Sequence, residues 1–328
     1  MKIVQVDKPG PPSALELVEV PIPEPGPGEV LVRAHSIGVG YPDLRIRAGT
    51  YPWMPPLPAI PGTELSGVVE RIGEGVTLVR PGQLALLSAR ERTHRGGHYA
   101  EYVAAPQEAT FLLPEGMNLE QAAALANYQV AYHMIYDSMR PLPGQVALVY
   151  GAAGGIGNAV IDLLKGLGVR VLGVASNAER ARWATTFGAD EVIDRTNGNI
   201  VGQVAALTDE RGVDWVVTPA AGPTIPGNIE LLAPAGTLVI YSTMGGAAKN
   251  DLWDVLWPSR SAAVRLFNIH TWDDLVEERR AGMRALIAML AEGRIRPHIH
   301  RRFKLSQARE AHELLEQGEV TGKILLQP

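Results

Sequence analysis

Two patterns of hydrophobic and polar positions divide the chain. In residues 1–110, short alternating stretches such as VLVRAHSIGV (30–39) and GVVERIG (67–73) are separated by segments rich in Pro and Gly. Alternation with a period of two is typical of half-buried strands, and Pro and Gly interrupt the chain between them. We therefore predict a compact, mostly antiparallel, β-rich domain for this part of the chain.

From about residue 120 the pattern changes to a regular alternation of helical and strand signals. The first helical stretch begins after Asn118, which stands in an N-cap position with Gln121 at the capping-box position. Such alternation predicts a parallel sheet with helices on both faces. Two further helices (273–293 and 306–318) and a short strand (322–327) are predicted in the tail. The strands predicted for the parallel sheet are 146–150, 169–174, 190–193, 213–217, 236–240 and 263–268.

The stretch VALVYGAAGGIGNAVIDLLKGLGVRVLGVAS (146–176) contains a glycine-rich turn between a strand and a helix. Its spacing, Ala152-x-Gly154-x-x-Gly157, is a GxGxxG fingerprint with alanine in first place. In this position Gly154 would let the backbone approach a pyrophosphate, and Gly157 would let the helix pack closely on the strand. A packing corner is the alternative interpretation. The predicted cofactor-binding turn comprises Gly151, Ala152, Gly154, Gly155, Ile156 and Gly157.

The end of the next strand indicates which dinucleotide binds. An NAD site usually has Asp or Glu there, whereas this chain has Val174, Ala175 and Ser176. Arg180 and Arg195 follow, and a 2′-phosphate requires such cations and hydroxyl donors. We predict NADPH rather than NADH, bound by the serine and the two arginines. The alternative is that both arginines are solvated surface charges.

Composition excludes several classes of function. The chain has 328 residues, a formal net charge of −5 and no dense basic patch, which argues against nucleic-acid binding. It has neither an apolar run of about 18 residues nor a signal-peptide pattern, so we expect a cytoplasmic protein with no membrane partner. With no cysteine, disulfides, thiolate zinc sites and cysteine catalysis are excluded. The closest approach to metal-ligand spacing is found in two histidine pairs, His298/His300 and His94/His98, and we predict no metal site.

Four blocks of the chain, in order, resemble the zinc-free quinone oxidoreductase branch of the medium-chain dehydrogenase/reductase superfamily. The resemblance implies a Rossmann doubly wound parallel sheet inserted into a β-rich GroES-like catalytic domain, with the active site in the cleft. The catalytic domain would comprise residues 1–120 and 269–328, and the cofactor domain residues 121–268. The four blocks are PGPGEVLVRAHSIGVGYPDLRIRAGTYP, IPGTELSGVVERIGEGV, VYGAAGGIGNAVIDLLKGLGVRV and EAHELLEQGEVTGKILLQP.

The same resemblance shows what is absent. Zinc-dependent alcohol dehydrogenases of this superfamily have His where Thr63 precedes Glu64, and a Cys a few residues before the position of Asp43. Without a Lewis acid to stabilise an alkoxide, alcohol oxidation is disfavoured. We therefore predict an NADPH-dependent enzyme that transfers hydride to a small-molecule electrophile, a quinone or an activated C=C.

The resemblance also implies site residues and two departures from the family pattern. Gly40 replaces an asparagine expected near the nicotinamide, and Gln129 replaces a threonine but could still hydrogen-bond the carboxamide. Tyr41, Tyr51 and Gln129 are the predicted catalytic residues, and Tyr128 is a further candidate proton donor; a packing role is the alternative for each tyrosine. The predicted cofactor site also includes Ala220, Tyr241, Ser242, Asn268 and Lys323.

Two alternative functions stay open at this point. One is an enoyl or alkenal double-bond reductase on the same fold, which would need a proton donor such as a tyrosine. The other is a non-catalytic NADPH-binding sensor.

The assembly is predicted from AAVRLFN (262–268), an apolar strand at an open sheet edge, and from nearby Trp253 and Trp257. Because the family commonly pairs along this edge, we predict a homodimer.

Overall fold

The computed structural model describes residues 1–248 and 251–328. Its strands are β1 (Lys2–Gln5), β2 (Glu16–Glu19), β3 (Glu29–Val39), β4 (Glu64–Ile72), β5 (Leu84–Ser88), β6 (Tyr102–Pro106), β7 (Thr110–Leu112), β8 (Val146–Tyr150), β9 (Arg170–Ala175), β10 (Glu191–Asp194), β11 (Val213–Ala220), β12 (Leu232–Met244), β13 (Ala263–Leu266), β14 (Ile299–Lys304) and β15 (Lys323–Gln327). Its α-helices are α1 (Tyr41–Arg47), α2 (Leu119–Ala122), α3 (Leu125–Tyr132), α4 (Gly155–Gly166), α5 (Ala178–Thr186), α6 (Ile200–Leu207), α7 (Ile225–Glu230), α8 (Leu252–Leu256), α9 (Val276–Ala291) and α10 (Ala308–Glu316).

The chain divides into two compact units. Unit 1 consists of Met1–Ala126 and Met283–Pro328, and unit 2 consists of Asn127–Gly282. The boundaries inferred from the sequence, at 120/121 and 268/269, stay a prediction. None of the helices within the described ranges combines the length and the apolar character needed to cross a bilayer.

Unit 1 is built on a seven-stranded sheet whose main path is β14-β15-β3-β4-β5-β7, with β6 also paired to β3. All of its pairings are antiparallel except that of β14 with β15. Alternation along β3 buries Val30 and Val32 in the core, and Leu65 of β4 and Ile324 of β15 join them there. The β-rich texture predicted for the N-terminal part is therefore confirmed, and the last strand of the chain completes the same sheet.

Unit 2 contains a six-stranded sheet in the order β10-β9-β8-β11-β12-β13. Every neighbouring pair is parallel. This is the strand order of the doubly wound dinucleotide-binding fold, so the predicted fold class is confirmed. Continuous apolar runs such as VALVY in β8 form these strands because a parallel sheet is covered on both faces.

One predicted helix is divided into pieces. The stretch that begins at Asn118 forms α2, α3 and then a π-helical segment, His133–Met139. The side chain of Asn118 accepts hydrogen bonds from the backbone N–H groups of Glu120 (3.0 Å) and Gln121 (3.2 Å), as an N-cap does. The predicted cap is confirmed, while the helix that follows is less regular than its sequence indicates.

Candidate functional site

Most residues of the predicted cofactor site lie at the carboxyl edge of the parallel sheet in unit 2. The turn begins at Gly151, directly after β8, and Ser176 directly follows β9. Strand β8 pairs with β9 on one side and with β11 on the other, so the direction of the strand order reverses at β8. Open parallel sheets bind ligands in the crevice at such a point.

The turn has the backbone geometry that an anion site requires. Gly151 has φ +65°, a conformation that other residues rarely adopt. Gly154 is the N-cap of α4, where no side chain caps the helix, and the first backbone bond runs from Asn158 N–H to its carbonyl (2.8 Å). The N–H groups of residues 155–157 therefore have no intrahelical acceptor and suit a phosphate.

Gly157 has a different role from Gly154. A Cβ at residue 157 would overlap the carbonyl oxygen of Gly151, whereas a Cβ at residue 154 would lie 3.2 Å from the same oxygen. Both contacts involve backbone, but the overlap at residue 157 is too deep to be relieved, whereas at residue 154 a shift of a few tenths of an ångström would be enough. We infer that Gly157 is required for α4 to pack on the turn. The missing side chain at Gly154 leaves the N–H groups of residues 155–157 accessible to a ligand.

The three residues predicted to hold the 2′-phosphate lie at neighbouring strand ends. Asp194 of β10 pairs with Ala175 of β9, so Arg195 and Ser176 emerge side by side at the sheet edge. Arg180 lies on α5, whose N-cap, Asn177, accepts a hydrogen bond from the backbone N–H of Arg180 (2.9 Å). The sequence offered no sign of this cap beyond an Asn in a suitable position.

The remaining predicted cofactor residues of unit 2 occupy the same edge. Ala220 ends β11 and pairs with Met244 of β12, the strand that carries Tyr241 and Ser242. Asn268 lies beyond the end of β13, and its side chain accepts a hydrogen bond from the backbone N–H of His270 (3.0 Å). Lys323 is the exception, because it belongs to β15 in unit 1.

Gln129 and Tyr128 are neighbours on α3 and both side chains are buried. The Gln129 side-chain amide donates to the carbonyl of Arg279 (3.4 Å). The Tyr128 hydroxyl donates to the carboxylate of Asp162 on α4 (2.6 Å). We therefore assign Tyr128 to the packing of α3 on α4.

The two predicted catalytic tyrosines have different surroundings in unit 1. Tyr41 is exposed at the start of α1, whereas Tyr51 is buried against Ile46 and Ala59. The ring of Tyr51 meets that of Trp53 edge to face, with centroids 5.6 Å apart. Tyr51 therefore contributes to packing whether or not it contacts a substrate.

Three charged side chains are buried together in unit 1. Lys323 forms an ion pair with Glu64, whose other oxygen accepts a hydrogen bond from the backbone N–H of Ala126 (2.8 Å). Both oxygens of Asp43 accept backbone hydrogen bonds, from Gly40 (2.8 Å) and Gly62 (2.9 Å). Burial raises the pKa of Asp43 to about 7, although these bonds and the Lys323 charge lower it. In the sequence these residues are far apart, and no local pattern indicates that they form a group.

Two family descriptions match the chain. Residues 26–115 match the alcohol dehydrogenase GroES-like domain, and residues 187–326 match the zinc-binding dehydrogenase family. Among curated proteins, human quinone oxidoreductase is 30% identical over 329 residues, which cover 99% of this chain and 97% of that protein. The chain belongs to the quinone oxidoreductase family of the medium-chain dehydrogenase/reductase superfamily.

Solved structures of two oxidoreductases share the architecture of this family member over the full length of each chain. Escherichia coli quinone oxidoreductase complexed with NADPH is 26% identical, with a TM-score of 0.86. A structure described as an NAD-dependent alcohol dehydrogenase is 28% identical, with a TM-score of 0.88. The two relatives thus differ in the cofactor that their descriptions name.

A zinc ion does not fit the residues of this family member, although one matching family is named for zinc binding. Zinc sites are built from Cys, His and carboxylate ligands, and the chain has no cysteine. Across residues 1–248 and 251–328, no group of three or more His, Asp or Glu side chains could hold a metal. The candidate carboxylate, Glu64, is instead paired with the ammonium of Lys323.

A cavity of about 430 Å³ in unit 2 lies away from the glycine turn. Leu232 and Ala233, at the start of β12, contribute to its wall together with residues of α7 and α8. The starts and ends of parallel strands lie at opposite edges of a sheet. This cavity is therefore separate from the site predicted for the cofactor.

Proposed function

We propose that this chain is an NADPH-dependent oxidoreductase that transfers hydride, without a metal, to a quinone or a similar electrophile. The observation that carries the proposal is the uncapped start of α4 at the point where the strand order of the sheet reverses. There the backbone N–H groups of residues 155–157 would hold the pyrophosphate, and Gly157 keeps the helix close to the turn. NADPH, when bound, supplies the hydride.

NADPH rather than NADH is supported by the charges at the sheet edge. No carboxylate ends β9, and Arg195 and Ser176 emerge from adjacent strands. Asp194, an acid at this edge, accepts hydrogen bonds from the backbone N–H (2.9 Å) and hydroxyl (2.6 Å) of Thr196. The NADPH complex of the E. coli relative agrees with this choice.

We assign cofactor binding mainly to unit 2, which is close to the cofactor domain inferred from the sequence. The proposed cofactor ligands are the residues at the carboxyl edge of the parallel sheet. Tyr41, Tyr51 and Gln129 stay the proposed catalytic residues. The cytoplasmic location is likewise a prediction.

The decisive test of the function is an assay of the purified protein with a naphthoquinone and a panel of enones, each with NADPH and NADH. We expect NADPH-dependent reduction of the quinone. Enone reduction without quinone reduction would indicate a double-bond reductase. Cofactor binding without reduction of either class would indicate a sensor and would contradict the enzyme proposal.

The metal-free proposal predicts that activity survives prolonged chelation. Because Glu64 is paired with Lys323 and no cysteine is present, metal analysis of the purified protein should find far less than one zinc per chain. The measurement is elemental analysis combined with turnover before and after chelation. A stoichiometric zinc whose removal abolishes turnover would contradict the proposal.

Tyr51→Phe is expected to lower quinone turnover less than tenfold. A quinone that accepts hydride becomes a stable hydroquinone anion, which takes its proton from water, and phenylalanine keeps the packing on Trp53. An enone becomes an enolate whose carbon must be protonated, so loss of a general acid would cost about 10²–10⁴ in turnover. The kcat values for a quinone and an enone distinguish these cases, with Tyr41→Phe as the matched variant. A quinone loss above a hundredfold in a folded Tyr51→Phe protein would identify Tyr51 as an acid in quinone reduction.

We also propose a homodimer formed along β13. This strand is the last in the sheet order of unit 2, and Leu266 on it is exposed. Nearby, Trp253 and Trp257 stack on each other with centroids 5.0 Å apart, yet 66% and 75% of their surfaces are exposed. Exposed aromatic clusters beside an open strand edge are typical of interfaces.

Light scattering at micromolar concentration is expected to give the mass of a dimer. Replacing both tryptophans with serine should shift the mass toward that of one chain, because the apolar contact would be lost. A monomeric native protein would refute the homodimer.

A further inference from the structure

The ion pair of Lys323 and Glu64 lies against two glycines, Gly38 and Gly40. Strand β3 pairs Gly38 with Glu64 on one side, and its pairing of Val39 with Ile324 puts Gly40 beside Lys323 on the other. Residues 38 and 40 lie on the same face of the strand. A Cβ at residue 38 would overlap both the backbone carbonyl oxygen of Ala123 and the Glu64 carboxylate, so only glycine fits here.

At residue 40, in contrast, neither the backbone conformation nor steric overlap requires a glycine. Its φ of −143° is accessible to any residue. A Cβ there would lie 3.6 Å from the Lys323 Nζ, 3.8 Å from Asp43 Oδ2 and 3.4 Å from Pro42 Cδ, all ordinary contacts. Gly40 is partly exposed, whereas Lys323 is only 4% exposed. The position that a Cβ of residue 40 would take therefore borders the buried ammonium of Lys323.

The ammonium of Lys323 can donate more hydrogen bonds than its neighbours accept. A lysine offers three N–H donors, and within the described residues its only close acceptor is the Glu64 carboxylate. Both oxygens of Asp43 already accept backbone N–H groups. Buried donors without acceptors are costly, so a ligand oxygen beside Gly40 would be bound favourably.

The charge balance of the group also suits an anion. Glu64 neutralises Lys323, and the raised pKa of Asp43, about 7, leaves that carboxyl largely neutral in mildly acidic solution. The other ionisable group that interacts with Asp43 is the buried Tyr99, whose pKa is raised by burial and then by the Asp43 charge, so that its hydroxyl stays neutral. An incoming oxyanion would therefore meet one ammonium and one carboxylate.

We propose that Lys323 and the space beside Gly40 form a binding site for the oxyanion that a hydride acceptor acquires on reduction. This inference rests on the proposed function and deepens it. A quinone that accepts hydride gains two electrons and one proton, which leaves a hydroquinone monoanion whose second proton comes from water. Lys323 donates a hydrogen bond to that oxygen and stabilises the charge as it develops. An enone would present an enolate oxygen to the same ammonium.

The site is tested without cofactor by titrating the protein in mildly acidic solution with a nitrophenolate that is ionised there, 2,4-dinitrophenolate, an oxyanion with its own absorbance. We expect binding that weakens at least about tenfold in Lys323→Met and in Gly40→Val. The matched control is Lys304→Met, which makes the same change at an exposed lysine of unit 1 and should leave binding unchanged. Equal binding by native protein, Lys323→Met and Gly40→Val would overturn the proposal.

Kinetic measurements then separate Lys323 from a cofactor ligand. Loss of one oxyanion donor is expected to lower quinone turnover about 10²–10³-fold in Lys323→Met, with NADPH affinity unchanged. Weaker NADPH binding with unaltered nitrophenolate binding would make Lys323 a cofactor residue, as the sequence predicted, and would also overturn the proposal. Comparing quinone and enone reduction by the native protein identifies which oxyanion the site stabilises.

Two variants keep the test decisive if Lys323→Met does not fold. Lys323→Met leaves Glu64 buried without its partner, so a version that also carries Glu64→Gln removes both charges. Gly40→Val leaves the ion pair intact, so its nitrophenolate binding tests the site if the lysine variants do not fold. Lys323-dependent nitrophenolate binding in a protein that reduces neither substrate class would sustain the anion site and refute the proposed function.

Discussion

Gly154→Val is expected to lower NADPH affinity by more than a hundredfold, about 2.7 kcal/mol, while unit 2 stays folded. A Cβ at residue 154 would already lie 3.2 Å from the carbonyl of Gly151, and the branched methyl groups would extend over the uncapped N–H groups of residues 155–157. Because the φ of Gly154 is −80°, its backbone tolerates a side chain, so the loss should fall on binding rather than on folding. Isothermal titration measures the affinity, and thermal unfolding monitors the fold.

Gly166→Val is the matched control for this substitution. It makes the same change at the other end of α4, where a Cβ would meet nothing within 4 Å. NADPH affinity should then be unchanged. Unaltered affinity in Gly154→Val itself would mean that the turn is a packing corner and not a phosphate site.

Replacing Arg180 and Arg195 together with alanine is expected to weaken NADPH binding at least tenfold and to leave NADH binding nearly unchanged. Only NADPH carries the 2′-phosphate, and tenfold corresponds to about 1.4 kcal/mol. Arg195 and Ser176 lie at adjacent strand ends, where a paired phosphate would find a cation and a hydroxyl. Titration of both cofactors into both proteins provides the measurement.

Arg182→Ala supplies the control for the arginine pair. It removes an exposed arginine from the same helix, α5, but two residues from Arg180 and so on a different face. Both affinities should be retained. If the native protein binds NADH as tightly as NADPH, the assignment of NADPH is wrong, and the NAD-dependent structural relative becomes the better guide.

The local pattern was sufficient for the strands of the parallel sheet. All six predicted strands are present. The inner strands, such as β8, are covered on both faces and are therefore continuous apolar runs, whereas β13 at the sheet edge is mostly exposed. Their ends were less accurate, as in β12, which begins at Leu232 rather than at 236. The helix predicted from Asn118 is divided for a different reason, because its continuation as a π-helix depends on packing that no local pattern records.

The glycine turn was also readable from the sequence, yet the separate roles of its glycines were not. The spacing identified Gly154 and Gly157, but only the tertiary structure distinguishes the deep backbone overlap of a Cβ at residue 157 from the tight contact of a Cβ at residue 154. That difference depends on how closely α4 approaches the turn. For this reason Gly154→Val tests cofactor binding, whereas a substitution of Gly157 would test folding.

By itself, the sequence determined the order of elements, the position of the turn, the missing acid after β9 and the absence of thiolate ligands, because each is encoded within a short stretch of chain. Only the tertiary structure brought Asp43, Glu64 and Lys323 together, since β3 must pair with both β4 and β15 before these residues are neighbours. The raised pKa of Asp43 follows from that assembly, because burial raises it and the charge of Lys323 lowers it in part. Burial and charge proximity arise from contacts between distant parts of the chain, so no local pattern could have specified them.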